Sequence, residues 1–453
     1  MATTVLATTV SPASLGPLGI YRAAVPPEFF EDLRRQSQLR AEGGVFVTAV
    51  VVWLMMWQRM NPKGTLSAAV QEVLENRPEA LLRPHKRRTE ETLSSDNTAY
   101  CKARGRLKKE VAEQVSDRIF QYLIADRPEA LPGLGLQAFL IDGSSGTLTA
   151  NDELIEAYPP AENQHGTSHF PILRIVVAHD LVSGIAARPR WGPMYGDHAV
   201  SEQELAIEVV GQLPTGSVLV WDRNFGTFYV TYQAHQLQHP VVTRLTSTRA
   251  RCLLKGKLPQ EVDREIDWIP SLYDRREHKD LPGDAHVRGR LISVRVFKNG
   301  QPIQLYLFTT LHLTVAQILQ LYGYRWNIEM DLRSLKRTVN LHTLTCKSVD
   351  MVAKELVLGV AAYNLVRSTM YAAARTAGID PRALSFSRVQ DVICACLPSL
   401  NAASSPEEYQ RVVDRILKRA AQCRLPQRRS PRPSYPRAVW GHNNPFPKRK
   451  NDT

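Results

Sequence analysis

Apolar residues recur with helical spacing from Pro26 to about Leu123, give way at Leu136 to short unbroken apolar runs, and return to helical spacing after Leu313. In the first stretch the pattern predicts helices over Pro27–Leu39, over the apolar segment 45–60, from Gly64-Thr65-Leu66-Ser67 through Leu74, and over roughly Ser95–Ala125. At Leu136 the texture changes to strand. Leu136-Gln-Ala-Phe-Leu-Ile-Asp142 is an apolar run ending in an acid, and Gly143-Ser-Ser-Gly146 reads as a turn after it. Phe170 to Ala178 and Ile185 to Trp191 form an expected antiparallel hairpin around Asp180-Leu-Val-Ser-Gly184. Ser201-Glu-Gln-Glu204 is a capping box that opens a helix through Leu213. Ser217-Val-Leu-Val-Trp-Asp222 then repeats the motif of an apolar strand closed by an acid. The order is strand, strand, strand, helix, strand, with Asp142 and Asp222 at the carboxyl ends of the first and last. Ligands gather at that edge in α/β sheets. Residues 240–311 are strand-rich, Leu313–Asn340 reads as one long helix, and Met351–Ala421 is helical again. The fold class is therefore mixed α/β.

The segment around position 330 concentrates chemistry. Tyr322, Arg325, Glu329 and Lys336 lie at offsets 0, 3, 7 and 14. At about 100° per residue they share an arc roughly 60° wide, and Arg333 falls beside it. Ile328, Leu332, Leu335 and Val339 form an adjacent apolar stripe. Such a helix can bury one side while presenting a carboxylate among cations and a phenol. Glu329 suits a hard metal ion, and Arg325 and Lys336 suit phosphates on either side of a reacting one. Taken alone, it also reads as a surface helix in which Glu329 pairs with Arg325 or Arg333. Asp142 before Gly143 could be a turn residue, and Asp222-Arg223 a local ion pair. Brought together, however, three carboxylates repel one another unless cations neutralise them. Two Mg²⁺ ions about 4 Å apart are the usual solution in nucleases and polymerases.

Tyr322-x2-Arg325-x3-Glu329-x6-Lys336 resembles the C-terminal signature of the DDE transposases of the insertion-sequence-4 family at every spacing. Phe139-Leu-Ile-Asp142-Gly143-Ser144 resembles that family's first catalytic block, and Val218-Leu-Val-Trp-Asp222-Arg223-Asn224-Phe225 its second. Trp53 to Arg59 and Gly64 to Val70 look like its N-terminal domain, so the likeness spans roughly residues 25–420. The resemblance implies a ribonuclease-H-like core interrupted by a strand-rich insertion, for which the 107 positions from Asp222 to Glu329 leave room. It implies Asp142, Asp222 and Glu329 as catalytic metal ligands for two Mg²⁺ ions, with Mn²⁺ a possible substitute. Tyr322, Arg325, Arg333, Lys336 and Arg223 become DNA contacts. The implied activity is strand cleavage and strand transfer at the ends of a bacterial insertion sequence. The implied partners are double-stranded DNA, as terminal inverted repeats and target, and a second copy of the chain in a synaptic dimer. Some relatives stack a flipped base on a tryptophan of the insertion; here the only one is Trp268, which reads as packing. The alternatives are a stand-alone nuclease on the same fold and a catalytically inactive DNA-binding regulator.

Charge agrees with a polyanionic partner: 57 Lys and Arg against 44 Asp and Glu give a formal +13. Lys102, Arg104, Arg106, Lys108 and Lys109 put a basic face on one N-terminal helix, either a helix-turn-helix style contact or a solvated face. Six scattered cysteines lack zinc or redox spacing and read as reduced thiols. His165, His169 and His179 have no ligand spacing and read as structural or surface residues. The longest apolar stretch, Val45–Trp57, has 13 residues against the ~20 a membrane span needs, so a soluble, cytoplasmic protein is expected. The expected division is a disordered N-terminus (1–25), a helical DNA-binding domain (26–130), a catalytic domain (131–375, insertion 240–311), a helical C-terminal region (376–423) and a basic, proline-rich disordered tail (424–453).

Overall fold

In a computed structural model, the structure describes residues 15–426 apart from 37–43, 62, 76–80, 82–85, 87–89, 126–128, 164–165, 299–300, 339 and 342. Among the described residues, six helices come first: α1 (Gly16–Ala24), α2 (Pro27–Gln36), α3 (Thr48–Met60), α4 (Leu66–Glu75), α5 (Thr98–Arg106) and α6 (Lys109–Ile124). Strand β1 (Ala138–Leu148), helix α7 (Asp152–Ala157), strands β2 (Ile172–Asp180) and β3 (Arg190–Pro193), and helix α8 (Glu202–Val210) follow. Next are β4 (Val218–Trp221), α9 (Phe228–Gln236), β5 (Val241–Arg244), α10 (Ser247–Leu254), β6 (Val262–Trp268), α11 (Leu272–Glu277), β7 (Val287–Lys298) and β8 (Gln301–Thr309). The chain closes with α12 (Val315–Gly323), α13 (Asn327–Arg333), β9 (Thr343–Leu344), α14 (Val349–Ala377), α15 (Phe386–Asn401) and α16 (Pro406–Ala421).

These strands form one sheet in the order β3-β2-β1-β4-β5-β8-β7-β6, with β9 parallel to the end of β1, and Glu162–Asn163 pairs with Gly166–Thr167 in a separate two-stranded ribbon. β2 and β3 run antiparallel, whereas β1, β4 and β5 are mutually parallel. This is the ribonuclease-H-like arrangement expected. The insertion differs from expectation in two ways. Val241–Arg244, expected inside it, is the fifth core strand and pairs with β4. The inserted strands then extend the same sheet past β5, because β8 pairs antiparallel with β5 and passes the edge on to β7 and β6.

Side-chain alternation gives each face its own core. Leu140, Val218, Val220 and Val242 face Ile318, Leu321, Tyr322 and Ile328, so α12 and α13 cover one face. Phe139, Ile141, Leu219 and Trp221 belong to the larger core on the other face, shared with the helical layer. That layer is built on α14, whose 29 residues are buried on nearly every side. Its small residues, Gly359-Val-Ala-Ala and Ala372-Ala-Ala374, admit close neighbours, and Ser348 and Gly378 cap its ends.

The helices before and after the sheet were expected as separate regions, yet α1, α3, α6, α15 and α16 all pack on α14. Arg59 and Arg104 both pair with Glu355 of α14, so Arg104 turns inward rather than joining a basic outer face. The expected helix Ser95–Ala125 is split at Leu107-Lys108. Residues 15–25, expected to be disordered, include α1, which buries Leu18, Ile20 and Tyr21. The basic tail lies outside the described residues except for 424–426, where Arg424 bridges to Leu384. All six cysteines are free. Among the described residues no helix is long and apolar enough to cross a membrane.

Candidate active site

Parallel pairing of β1 and β4 ends at Ile141 and Trp221, so Asp142 and Asp222 are the next positions on two adjacent strands. Residues 138, 140 and 142 share a face by the alternation of a strand, as do 218, 220 and 222. Both acids therefore emerge on the side covered by α12 and α13. The turn expected at Gly143–Gly146 does not form. β1 continues to Leu148, held by β2 as far as Thr147 and by β9 at its end, so Asp142 lies within its strand but beyond the end of β4. Asp222 Oδ1 accepts the Asn224 N–H at 2.7 Å, and Asp142 Oδ1 accepts the Gly143 N–H at 2.8 Å.

The expected single helix over Leu313–Asn340 is a continuous helical run of changing pitch. After α12 comes a tight 3₁₀ turn, Tyr324–Trp326, then α13, then a π-helical turn, Ser334–Thr338. The Ser334 hydroxyl donates to the Met330 carbonyl at 3.0 Å, where the winding loosens. Each 3₁₀ residue advances about 120° rather than 100°, so one uniform arc cannot carry through. The signature residues consequently differ in setting: Tyr322 and Arg325 are buried, Lys336 is half-buried, and Arg333 is exposed. The apolar stripe holds at Ile328 and Leu335, which are buried, and Leu332, which is half-buried; Val339 lies outside the described residues.

Arg325 joins two of the three acids. Its Nη1 is 3.9 Å from Asp142 Oδ2 and its Nη2 3.2 Å from Glu329 Oε1, while its guanidinium lies 4.3 Å from the Trp326 ring centroid. Its side chain is 11% exposed, against 55% for Glu329. Burial, with Asp222 and Glu202 nearby, lifts the Asp142 carboxyl to about 6 against the pull of the Gly143 N–H and Arg325. Burial likewise raises the Tyr322 phenol, whose neighbours are Arg325, Arg244 and Asp222. One strand-tip carboxylate, Asp142, and the helix carboxylate Glu329 thus share a single guanidinium, with Asp222 on the adjacent strand tip. Among the described residues no three His, Cys, Asp or Glu side chains stand close enough to share a metal ion in this arrangement. The donors are nevertheless all carboxylate oxygens, the set a hard divalent ion prefers. Asp142, lifted to about 6 chiefly by burial, would give up its proton to such an ion.

Arg223 is exposed beside Asp222. His179 is fully buried against Tyr363 and is held neutral by burial, which lowers it to about 4; His169 is exposed and His165 lies outside the described residues. Trp268 is buried edge-on to Phe308 and Phe228, as ordinary packing.

Sequence reasoning passed over Glu202, Asn224, Arg244 and Asp331. Asp331 is fully buried two residues after Glu329. Both its oxygens face Arg382 Nη1, at 2.5 and 2.6 Å, and it also pairs with Arg367. Arg382 Nη2 donates to the carbonyls of Asp180 and Leu181 at 3.0 and 2.8 Å, and Arg367 Nε to the Tyr363 hydroxyl at 2.8 Å. Asp331 falls three positions after Ile328, on the apolar side of its helix. An acid on a buried face was the available signal.

Residues 139–365 match the transposase DDE domain family. The transposase InsG of insertion sequence element IS4 from Escherichia coli K12 is 25% identical over 354 residues, covering 76% of each chain. Among solved structures, the synaptic complex of the piggyBac transposase with hairpin DNA, determined by cryo-electron microscopy, aligns with a TM-score of 0.45 and 12% identity. That alignment covers 89% of this chain and 85% of the other.

Proposed function

Because this chain belongs to the DDE transposases of the insertion-sequence-4 family, we propose that Asp142, Asp222 and Glu329 are its catalytic residues and ligands of two Mg²⁺ ions, with Mn²⁺ able to substitute. The reaction is cleavage of double-stranded DNA at the terminal inverted repeats of the element and joining of the freed ends to target DNA. The observation that carries this reading is the seating of Arg325 between Asp142 and Glu329, with Asp222 on the adjacent strand tip. When bound, the metal ions would activate an attacking oxygen and stabilise the leaving one. Asp142 must lose its proton to serve as a ligand. Glu329, the most exposed of the three, can swing toward the strand tips, and Arg325 is then released to meet a phosphate oxygen through its fork. Tyr322, Lys336, Arg333 and Arg223 are read as DNA contacts, and the working assembly as a synaptic homodimer.

The deciding experiment supplies Mg²⁺ and DNA carrying the element's own ends. Joined products are expected. Cleavage without joining would favour a stand-alone nuclease, and retained binding without any product would favour an inactive regulator.

Two further outcomes are expected. The exposed cations Arg223 and Arg333 should each act through counterion release, so Arg223→Ala or Arg333→Ala should reduce the slope of log K against log salt by about one unit. Fluorescence anisotropy across a salt series measures it, and an unchanged slope would exclude that residue from the DNA path. For pH, the Asp142 carboxyl at about 6 stays protonated below that value, and the proton competes with a cation. Mn²⁺ affinity of the DNA-free protein should therefore weaken below pH 6, by up to about tenfold per unit. Stability moves in the opposite sense. The folded form holds a proton that the unfolded chain loses near 3.8, so the metal-free protein loses stability as pH rises from about 4 to 6. Calorimetric titration at pH 5 and 7 checks the first expectation, and pH-independent affinity would contradict it.

A further inference from the structure

Glu202 enters the catalytic centre from the opposite side of the sheet. It stands in the first turn of α8, whose start is fixed by the Ser201–Glu204 capping box. Its Oε2 accepts a hydrogen bond from Asn224 Nδ2 at 2.6 Å. The next residue, Gln203, donates from Nε2 to the Asn224 carbonyl at 2.8 Å. Asn224 in turn gives its backbone N–H to Asp222 Oδ1 at 2.7 Å. Both ends of Asn224 are thus tied to one helical turn, while its N–H fixes the Asp222 carboxylate. On the other strand the carboxylate of Glu202 presses against Gly143. A Cβ there would lie 2.6 Å from both Cδ and Oε1 of Glu202. The absent side chain opens the passage through which Glu202 reaches the strand tips, and it puts Glu202 among the charges that act on Asp142.

We infer that Glu202 is a positioning residue for the two strand-tip aspartates, clamping the segment after Asp222 to the strand that carries Asp142 and so fixing the separation of the two side chains. This rests on the reading of Asp142 and Asp222 as metal ligands. Outer-shell partners of metal-binding carboxylates act in this way, and their loss typically costs about 10- to 100-fold in metal affinity or activity. A helix-starting glutamate with a merely structural role would change folding stability and leave metal affinity alone.

The test measures Mn²⁺ binding by calorimetry on the full-length, DNA-free protein, alongside its melting temperature and its cleavage rate. Glu202→Ala should weaken Mn²⁺ binding and slow cleavage by about 10- to 100-fold, with DNA binding retained. Glu202→Gln keeps an oxygen for Asn224 and should stay within about threefold of the parent in both, since the hydrogen bond rather than the charge does the positioning. Gly143→Ala tests the same clamp without altering Glu202. The intruding methyl meets only the end of a flexible side chain, so the strand should fold with Glu202 displaced, and Mn²⁺ binding should weaken as in Glu202→Ala. Unchanged Mn²⁺ affinity in Glu202→Ala or Gly143→Ala would overturn the assignment, as would a Glu202→Gln variant as impaired as Glu202→Ala. Asp142→Ala is run in parallel: if it binds Mn²⁺ like the parent, the metal reading itself has failed and the role of Glu202 falls with it. Loss in Asp142→Ala with none in Glu202→Ala overturns the role of Glu202 alone.

Discussion

Asp142→Asn is expected to slow DNA cleavage by on the order of 10³-fold or more while leaving DNA affinity within about threefold, because charge stabilisation by a bound divalent ion contributes several kcal/mol to such a transition state. The same loss is expected for Asp222→Asn and Glu329→Gln, and combining them should add little, since ligands of one site act as a unit. The three positions should still differ in stability. Asp142 is more confined than Glu329, with its side chain 23% exposed, and burial and neighbouring acids oppose its ionisation. Asparagine there removes an unfavourable charge, so the metal-free Asp142→Asn protein should melt at or above the parent temperature at pH 8. Glu329, with a 55% exposed side chain, should change melting little. Gel assays on end-containing DNA with Mg²⁺, run beside scanning calorimetry, separate the two effects. Cleavage surviving in any of the three variants at a tenth of the parent rate or more would remove that residue from the metal site.

How much of this was legible in the sequence depends on whether the determining interaction is local. The apolar runs at 136–142 and 217–222 mark two strands closing on acids, whereas the parallel register that sets Asp142 beside Asp222 is seen only in the folded sheet. Ile328 and Leu332 of the apolar stripe likewise place the glutamate helix on the sheet. Pitch was not legible: the 3₁₀ turn at Tyr324–Trp326 and the π turn at Ser334–Thr338 shift residues around the axis without altering their spacing. Strand length was misjudged at Gly143–Gly146 because small polar residues signal a turn, while β2 and β9, distant in sequence, keep the strand going. Long-range ion pairs were invisible for the same reason. Arg104 reads as part of a basic face until α14 brings Glu355 against it, 251 positions away. Glu202 reads as a helix-start acid until Gly143 and Asn224 are seen around it.

Asp331→Ala should be the most destabilising single substitution near the site. It leaves Arg367 and Arg382, with side chains 5% and 13% exposed, facing each other without their shared carboxylate. Removing one partner from a buried ion pair typically costs about 3–5 kcal/mol, because the desolvated charge left behind has no compensation. At roughly 2–4 °C per kcal/mol for a large domain, the melting temperature should fall by on the order of 10 °C. Burial alone would raise the Asp331 carboxyl, but Arg382 and Arg367 outweigh it and hold it at about 2. Its stabilising contribution is thus complete above the unfolded value near 3.8 and is lost as pH falls toward 2, so the parent and Asp331→Ala melting curves should converge in that window. Function should follow stability here. Asp331 joins the glutamate helix to Arg382, which grips the Asp180 and Leu181 carbonyls at the end of β2, and to Arg367 on α14. Loosening that anchor frees Glu329, two residues away, to drift from the strand tips, so Mn²⁺ affinity should drop along with stability at temperatures where the variant is still folded. Replacing Asp331, Arg367 and Arg382 together by Leu, Met and Met should recover much of the melting temperature, since a buried ion cluster can be exchanged for packed apolar side chains. It should recover little of the metal affinity, because packing does not restore the directed hydrogen bonds to the end of β2. A melting shift under 2 °C for Asp331→Ala would show that the cluster does not anchor the helix.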